Sequence, residues 1–164
     1  MRKQKGITLI ALTITIIVMM IIASITVYYG KDLIKQAKLQ DLVTNMLLIQ
    51  AKAKESVEEV NFQKANIVDE TEIEKIKQAN LRGTKVSENA DVSSKVSDII
   101  GTTDNCYYFT EQDLIEMGLK ELRVEEYGYF VAVYNIEEIT VEIINTNGYQ
   151  GNYTLTQLKA LQEE

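Results

Sequence analysis

The sequence predicts an α+β fold, in which one long amino-terminal α-helix packs on a small carboxy-terminal antiparallel β-sheet domain. Three observations lead to this prediction. An uncharged apolar run covers Ile7–Tyr29, and an apolar stripe with helical spacing follows it from Leu39 to Val60. Near the carboxyl end, apolar and polar residues alternate in Ile139–Ile143. Spacing of three and four residues predicts a helix, whereas strict alternation predicts a half-buried strand.

The apolar run follows a short basic segment at positions 1–6, with the sequence MRKQKG. A helix over 7–29 has a length of roughly 35 Å, which exceeds the roughly 30 Å hydrocarbon core of a bilayer. The sequence therefore predicts a single membrane crossing. A cleaved secretory signal peptide is the alternative. Its apolar region is shorter, about 7–15 residues, and the helical pattern here continues past Gly30.

The stripe predicts that the same helix continues into an amphipathic half that holds the soluble domain. With no proline and only Gly30 to interrupt it, the helix is expected to run from about Ile7 to Val60, or roughly 80 Å. The stripe consists of eight apolar residues: Leu39, Leu42, Val43, Met46, Ile49, Ala53, Val57 and Val60. Leu47, Leu48 and Ala51 lie roughly on the opposite side, either as scattered surface residues or as contacts with neighbouring subunits.

Two capping signals predict short helices after the stripe. Thr71-Glu72-Ile73-Glu74 has the spacing of a capping box, and the helix it starts is expected to end within 80–83. Thr110-Glu111-Gln112-Asp113 starts another, which Gly118 ends in a left-handed conformation. Between them, Thr84–Asn105 is rich in small polar residues and is predicted to be a long loop, with a helical turn at Val92–Ile99.

A hairpin is predicted near the carboxyl end. Tyr127–Tyr134 is expected to form a strand that is apolar on both faces, and Asn135–Glu138 joins it to the alternating strand Ile139–Ile143. Asn147-Gly148 is a further turn signal. Tyr153–Leu161 is expected to end the domain as a short strand or helix.

Composition excludes several classes of function. The formal net charge is -7 with the acidic excess after residue 54, so no basic surface indicates nucleic-acid binding. The chain has no histidine and one cysteine, Cys106, which rules out a zinc site built from paired cysteines and favours a buried structural thiol.

No catalytic motif is present, so we expect no enzyme, no cofactor and no catalytic or metal-binding residue. Glu125, Glu126, Glu137 and Glu138 cluster near the hairpin, where a solvated face is favoured over a calcium site. Packing explains Tyr127, Tyr129 and Tyr134 more simply than ligand stacking does.

The amino terminus carries the strongest functional signal. The basic leader and the run Gly6-Ile7-Thr8-Leu9-Ile10-Ala11-Leu12 resemble the signature of type IV pilins and type II secretion pseudopilins. In that family a membrane peptidase cuts after the glycine and methylates the new amino terminus. The resemblance implies cleavage between Gly6 and Ile7 and N-methylation of Ile7. Most members begin with phenylalanine and carry a glutamate near the new terminus, where this chain has Ile7 and Ala11, as in Gram-positive relatives that lack the glutamate.

The resemblance also implies an organisation and a function. The expected parts are a leader (1–6), a membrane and filament-core helix (7–29), its amphipathic continuation (30–60) and a pilin-like α+β head (61–164). The expected function is that of a minor structural subunit of a type IV pilus or a type II secretion-like filament. Candidate helix-packing residues are Leu9, Ala11, Leu12, Ala23 and Ser24.

The partners that the family implies are a prepilin peptidase, other pilin-like subunits, an assembly ATPase, a membrane platform protein and the lipid bilayer. The expected location is the cytoplasmic membrane, with the amino terminus in the cytoplasm and the head outside the cell, and then the extracellular filament. Lysines and arginines on the two sides of the span favour this orientation only slightly. The alternative function is an uncleaved single-pass anchor whose outer domain binds a ligand or an envelope partner.

Overall fold

The structure, a computed structural model, describes residues 3–163, with side chains described for residues 11–24 and 33–163. The chain divides into two compact units, Met1–Gln40 and Asp41–Glu164. Helix α1 covers Lys3–Lys64 and is the long helix that the stripe predicts. The remaining elements, in chain order, are α2 (Glu70–Asn80), β1 (Thr84–Lys85), a 3-10 turn (Val86–Glu88), α3 (Ala90–Ile100), β2 (Cys106–Tyr108), α4 (Glu111–Glu116), α5 (Val124–Tyr127), β3 (Phe130–Asn135), β4 (Thr140–Tyr149), β5 (Asn152–Thr154) and α6 (Leu155–Ala160).

The described strands form one antiparallel sheet of five, in the order β1-β2-β3-β4-β5. A mixed helix-and-sheet fold with a long helix and an antiparallel sheet is therefore confirmed. Each strand pairs with the next in the chain, so the sheet needs no crossover connection.

Helix α1 buries the predicted stripe. All eight stripe residues are at most 8% exposed. The last five of them, from Met46 to Val60, are fully buried. Two polar side chains on the same side of the helix attach it to the hairpin: Gln50 Nε2 donates to the Val141 carbonyl at 2.6 Å, and Asn61 Nδ2 donates to the Ile136 carbonyl. From Leu42 onward, the hydrophobic stripe thus packs within the second unit, as the sequence predicts.

A second core cluster contains Val86, Val92, Val96, Cys106, Val131 and Ile144, all of them buried. Val131 and its neighbours Phe130 and Ala132 point to opposite faces of β3, yet all three are fully buried. A strand that is buried on both faces needs apolar residues at every position, which explains the run FVAVY. The prediction of a strand that is apolar on both faces is therefore confirmed.

The prediction of a long loop over 84–105 is wrong. The region contains β1, the 3-10 turn and helix α3, which has three turns rather than one. Asn89 caps α3, since its side-chain oxygen accepts from the backbone N–H groups of Asp91 and Val92. The small polar residues that suggested a loop form this cap and the exposed side of the helix.

The capping predictions have mixed outcomes. Helix α2 ends at Asn80 as expected, but its cap is Asp69, whose carboxylate accepts from the Thr71 N–H at 2.8 Å; the proposed start at Thr71 is wrong. An aspartate before the first turn supplies the same acceptor two residues earlier. The capping box at Thr110 and Asp113 is confirmed, and Gly118 has a φ of 86°.

The hairpin itself is confirmed, with Tyr134 opposite Val141 and Asn135 opposite Thr140. Its predicted connection is one residue too early, because Asn135 belongs to β3 and the turn covers 136–139, which includes Ile139. The first strand begins at Phe130 rather than Tyr127, because Val124–Tyr127 forms helix α5. Gly128 is the C-cap of that helix.

The prediction of a turn at Asn147-Gly148 is wrong. Strand β4 continues through it to Tyr149 with a register shift against β5, and the turn lies at Gln150 and Gly151. The buried Asn145 stabilises this irregular part of β4, because its side-chain oxygen accepts from the N–H groups of Asn147 and Gly148. The predicted final element is both a strand, β5, and a helix, α6.

Candidate functional site

The helical segment 11–24 exposes a continuous apolar surface. Every side chain in it is exposed, and its large apolar members are between 46% and 70% exposed; they are Leu12, Ile14, Ile16, Ile17, Val18, Met19, Met20, Ile21 and Ile22. Covering nine such side chains is worth on the order of 10 kcal/mol. A surface of this kind requires a cover, either lipid or other protein.

The hydroxyl groups of Thr15 and Ser24 in this segment are satisfied within the helix. Thr15 Oγ1 donates to the Leu12 carbonyl at 2.7 Å and lies 3.1 Å from that of Ala11. Ser24 Oγ donates to the Met20 carbonyl at 2.7 Å. These hydroxyl protons need no water, so the segment suits an apolar environment although it is not purely hydrocarbon.

The predicted processing and helix-packing residues lie in three places along α1. Gly6, Ile7 and Leu9 belong to α1, but their side chains lie outside the described residues, as does the chemistry of the cleavage site. Ala11 and Leu12 are exposed at one end of segment 11–24, and Ala23 and Ser24 at the other. At about 100° per residue, Leu12 and Ala23 share a face of the helix.

The predicted membrane crossing over 7–29 extends at both ends beyond the described side chains. Among the residues whose structure is described, no helix combines the length and the apolarity that a membrane crossing needs.

The second unit has clefts, and its described residues form no cluster that suggests metal binding. One cleft of about 410 Å³ is lined by Asp41, Asn45, Lys120 and Tyr127, among others. The Tyr127 hydroxyl donates to the Asp41 carboxylate at 3.0 Å, and this hydrogen bond is the main cause of the raised pKa of Tyr127. Among the described residues, no three histidine, cysteine or acidic side chains are grouped to hold a metal ion. The four glutamates near the hairpin are all exposed.

Cys106 is a structural thiol, as its sequence context predicts. Its side chain is 2% exposed within the second core cluster. Burial, with a smaller contribution from the charge of Asp104, raises the pKa of the thiol to about 11. The thiol therefore stays protonated at neutral pH and is a poor nucleophile.

Four of the tyrosines pack in pairs, ring edge against ring face. Tyr134 is buried, donates from its hydroxyl to the Arg82 carbonyl at 2.9 Å and meets the Tyr107 ring edge-on at 5.3 Å. Tyr108 and Tyr129 form a second edge-on pair at 5.7 Å. Tyr127 lies in helix α5, so its predicted strand position is wrong.

Sequence reasoning missed one set of exposed apolar residues. Phe62 is 80% exposed in the last turn of α1, and Val68 is 93% exposed before α2. In the sequence, Phe62 and Val68 can be recognised only as apolar residues that lie beyond the end of the stripe in a polar stretch.

Comparison with known proteins returned no match among protein-family models, curated proteins or solved structures. The function must therefore be inferred from the residues of this chain.

Proposed function

We propose that this chain is a minor, pilin-like structural subunit of a type IV pilus or a type II secretion-like filament. It is cleaved after Gly6, N-methylated at Ile7 and assembled through its apolar helix. The observation that carries this proposal is the exposed apolar segment 11–24, which belongs to the same helix as the buried stripe residues Leu42–Val60 of the second unit. One helix thus provides both an assembly surface and the attachment of a folded head.

The apolar segment supports assembly because it can exchange one cover for another. Before assembly, lipid chains cover it; in a filament, the helices of neighbouring subunits do so. Lipid and apolar side chains are similarly hydrophobic, so this exchange gains little from the hydrophobic effect and depends on close packing. Ala11, Ala23 and Ser24 are small residues that permit such packing. An assembly ATPase and a membrane platform protein supply the work of extraction.

Ala11 distinguishes this subunit from most of the family it resembles. A carboxylate in an apolar filament core costs several kcal/mol unless it is paired, and in the family it pairs with the amino terminus of a neighbour. Alanine removes both this cost and the contact that sets the register. A subunit without this contact fits a minor role.

The first test is the chemical identity of the amino terminus. In host cells that contain the peptidase, mass spectrometry should find a chain that begins with N-methylated Ile7. Gly6→Val should abolish this processing, because a β-branched side chain replaces the small residue at the cut. Gly30→Val makes the same change in the same helix, away from the cut, and should leave processing unaffected.

An intact Met1 terminus in such cells would contradict the proposal. It would support the alternative, an uncleaved anchor whose outer domain binds a ligand or an envelope partner.

A further inference from the structure

The second unit has a polar cleft between helix α2 and the first two strands of the sheet. Its volume is about 210 Å³. Its lining consists of Glu74 and Lys77 from α2, Lys85 and Ser87 from β1 and the 3-10 turn, and Thr103–Tyr107 from β2 and the loop before it. Sites for drug-sized molecules have volumes of roughly 300–1,000 Å³, so this polar cleft suits a smaller ligand.

Tyr107 brings a hydroxyl group without a partner to the polar cleft. The residue is 7% exposed, and within the described part of the chain its hydroxyl group makes no hydrogen bond. No fully enclosed side-chain oxygen of the described residues lacks a partner, so the oxygen of Tyr107 is accessible, and Tyr107 lines this cleft. After burial, the charge of Glu74 in the same lining is the next cause of the raised pKa of Tyr107. A nearly buried hydroxyl group without a partner costs free energy, which a ligand that accepts its hydrogen bond would recover.

A lysine without an ion-pair partner lies beside this hydroxyl group. Lys85 is directly opposite Tyr107 in the antiparallel pair of β1 and β2, so the two side chains project from the same face of the sheet. Lys85 is half-buried and forms no ion pair with any described residue. An ammonium group and a hydroxyl group on one face are donors that suit a carboxylate.

The two charges that α2 contributes neutralise each other. Lys77 Nζ donates to Glu74 Oε1 at 2.5 Å, and this hydrogen bond is the main cause of the lowered pKa of Glu74, to which the charge of Lys85 contributes least. Asp104 has an exposed carboxylate that pairs with no described cation. The polar cleft therefore keeps one uncompensated cation, Lys85, and one uncompensated anion, Asp104. These two side chains line the same small space without touching, which leaves room for a ligand between them.

We propose that the polar cleft binds a free α-amino acid with a polar side chain. Lys85 and the Tyr107 hydroxyl group donate to its carboxylate, and Asp104 accepts from its ammonium group. A zwitterion compensates both charges at once, whereas a simple anion or a simple cation leaves one of them without a partner. The hydroxyl and amide groups of the lining suit a polar ligand side chain.

This site goes beyond the proposed function and does not depend on it, because all of its residues belong to the second unit. Asp104 is exposed and Lys85 is only half-buried, so solvent weakens both ionic contacts. The expected dissociation constant is therefore about 1–10 mM.

A ligand-observed NMR titration of the full chain in a mild detergent tests the binding. L-serine, L-glutamate and L-lysine serve as probes, because they carry neutral, acidic and basic polar side chains. We expect at least one of them to bind saturably in the range given above. Absence of saturable binding by all three would overturn the proposal.

Derivatives of the amino acid that binds test its two charges separately. N-acetylation removes the ammonium charge, and amidation removes the carboxylate charge. Each change should weaken binding about tenfold, because one charge-assisted hydrogen bond is lost. Equal binding of the N-acetyl derivative, or competition by inorganic phosphate as strong as that by the amino acid, would overturn the proposal in favour of a simple anion site.

Charge-removing variants locate the site. Lys85→Gln and Asp104→Asn should each weaken binding about tenfold. The matched control is Lys75→Gln, which changes an exposed lysine of α2 outside the lining and should leave binding unchanged. Unchanged binding in folded Lys85→Gln or Asp104→Asn would overturn the proposal.

Tyr107→Phe tests the hydroxyl group alone. The ring and its contact with Tyr134 remain, and the hydroxyl group makes no hydrogen bond within the described residues, so thermal melts should show an intact head. Binding should weaken about threefold to tenfold. Tyr108→Phe makes the same change at the next residue of β2, which points to the opposite face and lies outside the lining, and should have no effect. Equal effects of the two variants would contradict the role of Tyr107.

Discussion

Two adjacent residues of α1 provide a direct test of how the head is held. Ile49 is fully buried in the stripe, whereas its neighbour Leu48 lies outside the stripe and is 48% exposed. Both are large aliphatic residues in the same turn of the same helix, so Ile49→Ala and Leu48→Ala differ mainly in the side of the helix that they change. We expect Ile49→Ala to destabilise the second unit strongly and Leu48→Ala to have little effect.

The magnitude follows from burial. Truncating a fully buried isoleucine to alanine costs about 2–5 kcal/mol, because apolar contacts are lost and a cavity remains. Truncation of an exposed leucine changes the free energy of unfolding by about 0.5 kcal/mol or less. For a unit of this size, a difference of about 3 kcal/mol corresponds to roughly 10 °C in the melting temperature.

The assay is thermal unfolding of the full chain in a mild detergent, followed by near-ultraviolet circular dichroism. The chain has nine tyrosines and no tryptophan, so the signal reports on the tyrosine environments, which include the buried Tyr134. Equal losses for the two variants, or a larger loss for Leu48→Ala, would refute the assignment of the stripe as the side that holds the head.

Two further changes test the interior of the second unit. Gly83→Ala should lower the free energy of unfolding by more than about 1 kcal/mol, because an added Cβ would lie 2.8 Å from the Tyr108 carbonyl oxygen. Gly101→Ala, also at positive φ but with open space around it, should lower it clearly less in the same thermal melts. Equal losses would contradict this reasoning. Since the pKa of the Cys106 thiol is raised from 9.0 to about 11, its contribution to stability is complete below pH 9 and is lost as the pH rises from 9 to 11. Denaturant titrations should show this decline in the unmodified chain and a smaller one in Cys106→Ala, and parallel pH profiles would count against it.

The sequence predicted correctly those helices and strands whose pattern lies within one short stretch of the chain. The stripe works because a helix repeats every 3.6 residues, so its eight apolar members share one side whatever they contact. The capping box at Thr110 is similarly local, since both of its hydrogen bonds join residues three positions apart. The hairpin follows from alternation and a short polar connection.

Elements that depend on distant partners were predicted poorly. Strands β1 and β2 have two and three residues, too few for a period to show. Strand β2 pairs with the edge that β3 offers, and β1 pairs in turn with β2. Asn147-Gly148 has the sequence of a turn, but the buried amide of Asn145 binds both of its N–H groups and keeps it in β4. The polar stretch around α3 became a helix because Val92 and Val96 find a core to pack against.

The sequence alone predicted the long helix, its apolar first part and its buried stripe, because these depend only on the order and spacing of residues along one segment. The resemblance at Gly6 and Ile7 is likewise a property of the linear sequence, and processing there remains a prediction. Tertiary structure decided which faces are covered. It showed that both faces of β3 are buried and that Leu47, Leu48 and Ala51 of α1 are exposed, since exposure depends on what the rest of the chain packs against.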